Sequence, residues 1–176
     1  MTLADKFIDH DAAARLDGLV KAALKAGADA ADAVEFTHIS TGIAYRFGKL
    51  EDVGRSEACD LGLRVFVGKQ VAFVSSTDFS EQTLSGLPGR AVSMAKLAPE
   101  DKFAGLAPRE RLATEFHSLD LDDADEPSTT VLVERAREAE AVALAIKGIT
   151  NSEGGAADYG RTIVTLATSE GFLGGY

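Results

Sequence analysis

The period of the apolar pattern changes once, near Gly27, and that change restricts the fold more than any other feature of the chain. Before it, Leu16, Leu19, Val20, Ala23 and Leu24 fall at i, i+3, i+4, i+7 and i+8, the single stripe of an amphipathic helix. Alanine fills much of the remainder and favours helix. A helix is therefore expected over Asp11–Ala26, with Gly27 as its stop. After Gly27 the period drops to two. Val34 and Phe36 alternate with Glu35 and Thr37; Ile43, Tyr45 and Phe47 alternate with Ala44 and Arg46. Leu61, Leu63, Val65 and Val67 alternate with Gly62, Arg64 and Phe66, and Val71 and Phe73 follow. Half-buried strands carry this alternation. Gly48-Lys49 and Gly68-Lys69 sit between such runs, and glycine at the first loop position supplies the positive φ of a type II′ turn. The expectation is an α+β fold: an antiparallel β-meander of about five strands over 33–76 with flanking helices covering one face.

Beyond the meander, a second helix is expected to start near Asp78 or Ser80, because Asp78 and Glu81 have capping-box spacing. Leu84, Leu87, Ala91, Met94 and Ala95 would form its apolar face, and Pro88-Gly89 predicts a kink or a later start. Pro99, Pro108 and Pro127, with the acidic stretch Asp120–Glu126, predict an irregular connector. A helix over about Ser128–Lys147 follows, with Val131, Leu132, Ala136, Ala139, Val142, Ala143 and Ile146 inward and Arg135 as the polar exception. Strands are expected near Ile149–Glu153 and Thr162–Thr168. This organisation divides the chain into an amino-terminal α+β domain, 1–120, and a second unit, 121–176, made of linker, helix and the first strands of an incomplete α+β domain.

The charge balance narrows the partners. Eighteen basic against 28 acidic residues give a net charge of -10. Binding to phosphate backbones relies on a basic surface that releases counterions, so neither nucleic acid nor an anionic membrane is an expected partner. Cys59 is the sole cysteine, which forbids an intrachain disulfide and suits a reducing compartment. Met1–His10 lacks an apolar core after a basic start, and no run approaches the ~18 apolar residues of a membrane helix. A cytoplasmic location is the expectation.

Chemistry is sparse. There is neither His-Glu-x-x-His nor Cys-x-x-Cys, and His10, His38 and His117 have no second ligand at zinc spacing. Asp120, Asp122, Asp123, Asp125 and Glu126 fail the calcium-loop pattern, since Asp125 stands where glycine is required and Val131 where glutamate is. Gly62–Lys69 has five residues between its glycines instead of four, so it is a hairpin and not a phosphate loop. Ser93-Met94-Ala95-Lys96 matches Ser-x-x-Lys but lacks the companion elements, and Met94 and Ala95 are expected to face the core. Cys59 lies between Glu57 and Asp60, which disfavours a thiolate nucleophile. No catalytic or metal-binding residue is assigned to this chain.

Two polar clusters remain. Ser75, Ser76, Thr77 and Asp78 end a strand and open a helix, while Asn151 and Glu153 lie in Asn151-Ser152-Glu153-Gly154-Gly155 after a helix. Such residues cap and turn the backbone; a role lining a cleft or a subunit contact is the functional alternative for Ser75, Ser76, Thr77, Asp78, Asn151 and Glu153. These clusters also occur, in order, with Ala28–Glu35, Gly48–Glu51, Leu61–Val65 and Ile149–Gly154. Together the strings resemble the amino-terminal part of the TldD/PmbA metallopeptidase-like family, and Ser75–Ser80 and Ile149–Gly154 resemble its PmbA (TldE) branch. The resemblance implies a non-catalytic partner of a TldD-like subunit, in which zinc sits on a His-Glu-x-x-x-His helix of that subunit and no cofactor sits in this chain. It also implies proteolysis of unfolded peptides or peptide maturation, with extended peptide as substrate and a TldD-like subunit or self-association as partner. A protein-binding regulatory module acting on DNA gyrase or a toxin–antitoxin pair is the alternative. Pro88-Gly89 departs from the family pattern.

Overall fold

The computed structural model describes residues 10–115, 119–123 and 125–176. Among the described residues three helices and five strands follow in the order α1 (His10–Lys25), β1 (Ala30–Arg46), β2 (Lys49–Val67), β3 (Gln70–Ser76), α2 (Glu81–Ala95), α3 (Thr129–Leu144), β4 (Gly155–Thr168) and β5 (Leu173–Gly175). A 3-10 turn at Arg109–Arg111 interrupts the irregular stretch between α2 and α3. The sheet is five-stranded and antiparallel, ordered β3-β2-β1-β4-β5. The expected sheet with flanking helices is present, but residues 30–76 supply three of its strands and residues 155–175 the other two. The reason is strand length. β1 has 17 residues and β2 has 19, so apolar runs that read as separate short strands belong to continuous ones.

The polypeptide divides into two compact units built from interleaved stretches. One comprises 1–37, 59–119 and 163–176; the other comprises 38–58 and 120–162. In the first, α1 and α2 pack through Leu16, Leu19, Val20, Ala23, Leu87, Ala91 and Val92 against Ala31, Ala33, Leu61, Leu63, Val65, Ala72 and Val74. Odd-numbered residues of β2 and even-numbered residues of β3 share that face because their register pairs Leu63 with Val74 and Val65 with Ala72. Leu16, Leu61 and Leu63 are fully buried, each contributing roughly 1.5–3 kcal/mol relative to exposure. In the second unit, Leu132 and Ala136 of α3 pack on Ile43, with Tyr45, Val133, Ala157 and Tyr159 around them.

Several local expectations change. Helix α2 continues through Pro88, in its middle; proline there forfeits a backbone bond, and the burial of Leu87, Pro88, Ala91 and Val92 against the core offsets that penalty. Of the two expected starts Ser80 holds: it is the N-cap, its side chain accepting from the Thr83 amide, and Asp78 stands outside the helix. Met94 is 47% exposed and not in the core. On α3 the buried face is Leu132, Ala136 and Glu140, whereas Val131, Val142 and Ile146 are exposed. Ile149–Glu153 forms the connection into β4 and not a strand, after the chain reverses at Gly148 (φ 100°).

Candidate functional site

The first hairpin turn is centred one residue earlier than expected. Phe47 (φ 45°) and Gly48 (φ 76°) occupy it, and Lys49 already belongs to β2. Positive φ at both central residues is the type I′ signature. At the second turn Gly68 has φ 59° and Val67 pairs with Gln70, as the sequence predicts. The strain at Phe47 is held by a bond: its backbone N–H donates to the Glu140 carboxylate at 2.9 Å. Glu140 is 3% exposed, and a buried carboxylate needs such a donor.

Ser75 and Ser76 close β3 opposite Gly62 and Leu61. Asp78 then takes up three donors, from the Thr83 hydroxyl, the Ser80 amide and the Ser80 hydroxyl. The Thr83 hydroxyl, and after it the Ser80 donors, hold the Asp78 carboxyl below its usual range. Ser76 in turn bonds the Asp78 backbone. This cluster organises the start of α2; Thr77 is exposed within it.

Asn151 and Glu153 belong to the other unit and are exposed. Their neighbours carry the structural load. The Ser152 hydroxyl accepts from the Gly154 amide at 2.8 Å, and its carbonyl accepts from Arg46. A Cβ on Gly155 would lie 2.0 Å from the Ala136 carbonyl oxygen, and one on Gly154 (φ 108°) would lie 2.8 Å from that of Tyr45. Glycine at 155 is what lets β4 pass directly against α3. The structure thus places the two polar clusters in different units, each tied to a helix.

Two shallow depressions in the second unit flank Arg55, a residue the sequence reading passed over. One, of about 490 Å³, is lined by Thr41, Val53, Arg55, Glu126, Pro127, Ser128 and Thr129. The other, of about 260 Å³, adds Ser40, Gly42, Ser56 and Asp158. Arg55 donates to Glu57, Glu126 and Thr41, and the bond to Glu126 raises its pKa. The alternation of Val53, Arg55 and Glu57 was the available signal. Elsewhere Glu35, 4% exposed, receives a two-pronged Arg15 contact at 2.8 and 2.9 Å. The Cys59 thiol lies 3.7 Å from the same carboxylate. His38 bonds Thr162 through Nδ1, His10 begins α1 exposed, and His117 lies outside the described residues. Among the described residues no group of three or more His, Cys, Asp or Glu side chains could hold a metal ion, and no helix is long and apolar enough to cross a membrane.

A long-stranded antiparallel sheet with helices docked through alanine-rich faces defines an α+β domain, and comparison with known proteins assigns it. The PmbA/TldA metallopeptidase domain 1 profile matches residues 31–96. Metalloprotease PmbA of Escherichia coli O157:H7 is 33% identical across 100% of this chain, which covers 40% of that protein. The Metalloprotease PmbA homolog of Haemophilus influenzae is 31% identical over 89% of this chain and 35% of its own length. A crystal structure of a candidate modulator of DNA gyrase from Bacteroides thetaiotaomicron superposes with a TM-score of 0.87 at 19% identity, covering 96% of this chain and 39% of that one. TldE from Thermococcus kodakarensis gives 0.74 at 15% identity, covering 92% and 36%. The chain belongs to the PmbA/TldD family and contains its first domain. It spans well under half the length of the relatives it matches.

Proposed function

We propose that this chain is a non-catalytic region of a PmbA-type subunit that works with a zinc-bearing, TldD-like protein in cleaving unfolded peptides. The observation that carries this reading is the 33% identity to Metalloprotease PmbA along the whole chain. It is supported by the scatter of His10, His38 and His117 in the sequence, since zinc hydrolysis needs three convergent protein ligands and an open position. The chain's contribution is then to bind and present peptide, through polar backbone at Ser75–Asp78 and Asn151–Glu153 or through strand edges, where main-chain hydrogen bonds read no sequence. The reducing, cytoplasmic setting expected from Cys59 belongs to the same proposal. Mixing the purified chain with a TldD-like metallopeptidase and following co-elution and hydrolysis of an unstructured peptide tests it. Co-elution with altered hydrolysis is the expected result; independent elution and unchanged hydrolysis contradict it.

The name carried by the Bacteroides thetaiotaomicron structure favours a second reading, regulation of DNA gyrase by protein contact. Net charge of -10 suits contact with the protein and not its DNA. Capture of gyrase without any peptidase partner would select it.

A further inference from the structure

In the second unit, the face of the sheet turned away from α3 carries a group of side chains that the chain itself leaves unused. Ile43 and Tyr45 of β1 and Ala157 and Tyr159 of β4 surround the inner residues of α3, so alternation turns Gly42, Asp158 and Gly160 to the opposite side. β1 and β4 are neighbours in the sheet. The His38 ring bonds Thr162 at 2.8 Å, and a Cβ on Gly42 would lie 2.8 Å from Asp158 Oδ1. His38 precedes Gly42 by the same interval at which Thr162 follows Asp158, so one antiparallel register without a bulge produces both contacts. Ser40, Gly42, Gly54, Ser56 and Asp158 line the smaller depression, of about 260 Å³.

Glycine inside a strand weakens it, and it often marks a place where another molecule comes close. Gly42, Gly54 and Gly160 all lie within strands, and none of them has positive φ. A Cβ on Gly54 would meet nothing within 4 Å, and one on Gly160 would make only ordinary contacts. At Gly42 the close atoms belong to Asp158 alone. The packing of the chain therefore does not require so bare a floor. The polar groups around it are also unspent. Among the described residues no hydrogen bond or ion pair engages the side chains of Asp158, Ser40 or Ser56. The arginines nearest them in sequence are committed elsewhere, Arg55 to Glu57 and Glu126, and Arg161 to Asp122.

We infer that this depression is a subsite for the ammonium group of a lysine side chain on an extended peptide. An ammonium group brings three donors and no acceptor, which the Asp158 carboxylate and the Ser40 and Ser56 hydroxyls match with acceptors. Arginine fits less well. Its planar fork takes both oxygens of a carboxylate, whereas Asp158 Oδ1 is turned onto Gly42. A metal ion would find one carboxylate where hard cations take six or more oxygens. The net charge of -10 favours a cationic partner at longer range. The assignment of the lysine to a peptide rests on the peptide-presenting reading above, while the ammonium site rests on the geometry of the depression.

An NMR titration of the isotope-labelled 176-residue chain tests it, with a Gly-Ser-Lys-Ser-Gly peptide blocked at both ends as the probe. Amide shifts should move at Gly42, Gly54 and Gly160, and binding should weaken as salt screens the exposed pair. Acetylation of the lysine side chain should weaken binding about fivefold. Asp158→Asn should cost the lysine peptide the same factor, and so should Gly42→Ala, whose methyl group displaces the carboxylate oxygen. Circular dichroism confirms that both variants fold. No binding, equal binding of the acetylated probe, tighter binding of an arginine probe, or preference for a norleucine probe with a free amino terminus would each overturn the proposal. Undiminished binding by Asp158→Asn, or shifts confined to other residues, would overturn it as well. None of these readouts involves the TldD-like protein. Failure here leaves co-elution to decide the peptidase reading, and failure of co-elution leaves the ammonium site standing.

Discussion

At the scale of single residues, the polar clusters act through contacts that their composition only hints at. Gly155 lies against α3 so closely that a methyl group has nowhere to go, its Cβ falling 2.0 Å from the Ala136 carbonyl oxygen. Backbone on both sides cannot yield as a flexible side chain would, so Gly155→Ala should lose about 3 kcal/mol or more in urea unfolding. Asp78 gives a pH-dependent prediction. Its carboxyl is held below the ordinary value of 3.8 by Thr83 and Ser80. A depressed folded pKa contributes stability that is fully present above the unfolded value. That stability is lost as pH falls through the folded value. Asp78→Asn should therefore be less stable than the parent at pH 7, and the difference should vanish in acid below that window. Urea titrations of both proteins across the acid limb check this. A gap that persists unchanged at the lowest pH would assign Asp78 a role without titration.

At the scale of elements, what was legible followed from periodicity, and what was not followed from tertiary contact. Helix α1 and the second hairpin turn could be read directly, because a 3.6-residue stripe and a Gly at a two-residue loop are local facts. The first turn could not. Phe47 adopts positive φ with its amide N–H donating to Glu140, 93 residues away. Nothing local marks that bond, and the glycine at 48 drew the turn one position along. Glu140 itself stands among apolar residues of α3 and faces inward, which inverts the usual reading of a charged helix position. The buried face runs through Leu132, Ala136 and Glu140, so Val142, two positions on, faces out, and Ile146 lies beyond the helix end. Because left-handed backbone costs a non-glycine residue about 1–2 kcal/mol, Phe47→Asn should stabilise the hairpin by about 1 kcal/mol. Thermal denaturation measures this. A loss of stability instead would mean that the Arg46 contact with the Phe47 ring, at 5.2 Å, outweighs the relief. The polar clusters were legible as helix and turn punctuation, but the Arg55 surroundings were not, since Thr41 and Glu126 reach Arg55 from distant parts of the sequence.

At the scale of the whole molecule, the family and the five-stranded sheet agree with each other. Long strands, small residues under the helices and the part-buried Arg15–Glu35 ion pair make a stable platform. On the proposed reading, hydrolytic chemistry belongs to the TldD-like partner. The direct measurement is zinc content and peptide hydrolysis of the purified 176-residue chain, alone and after addition of a TldD-like protein. The account predicts substoichiometric zinc and no cleavage from the isolated chain, with cleavage appearing only in the mixture. One zinc ion per chain together with chelator-sensitive hydrolysis by the chain alone would contradict it.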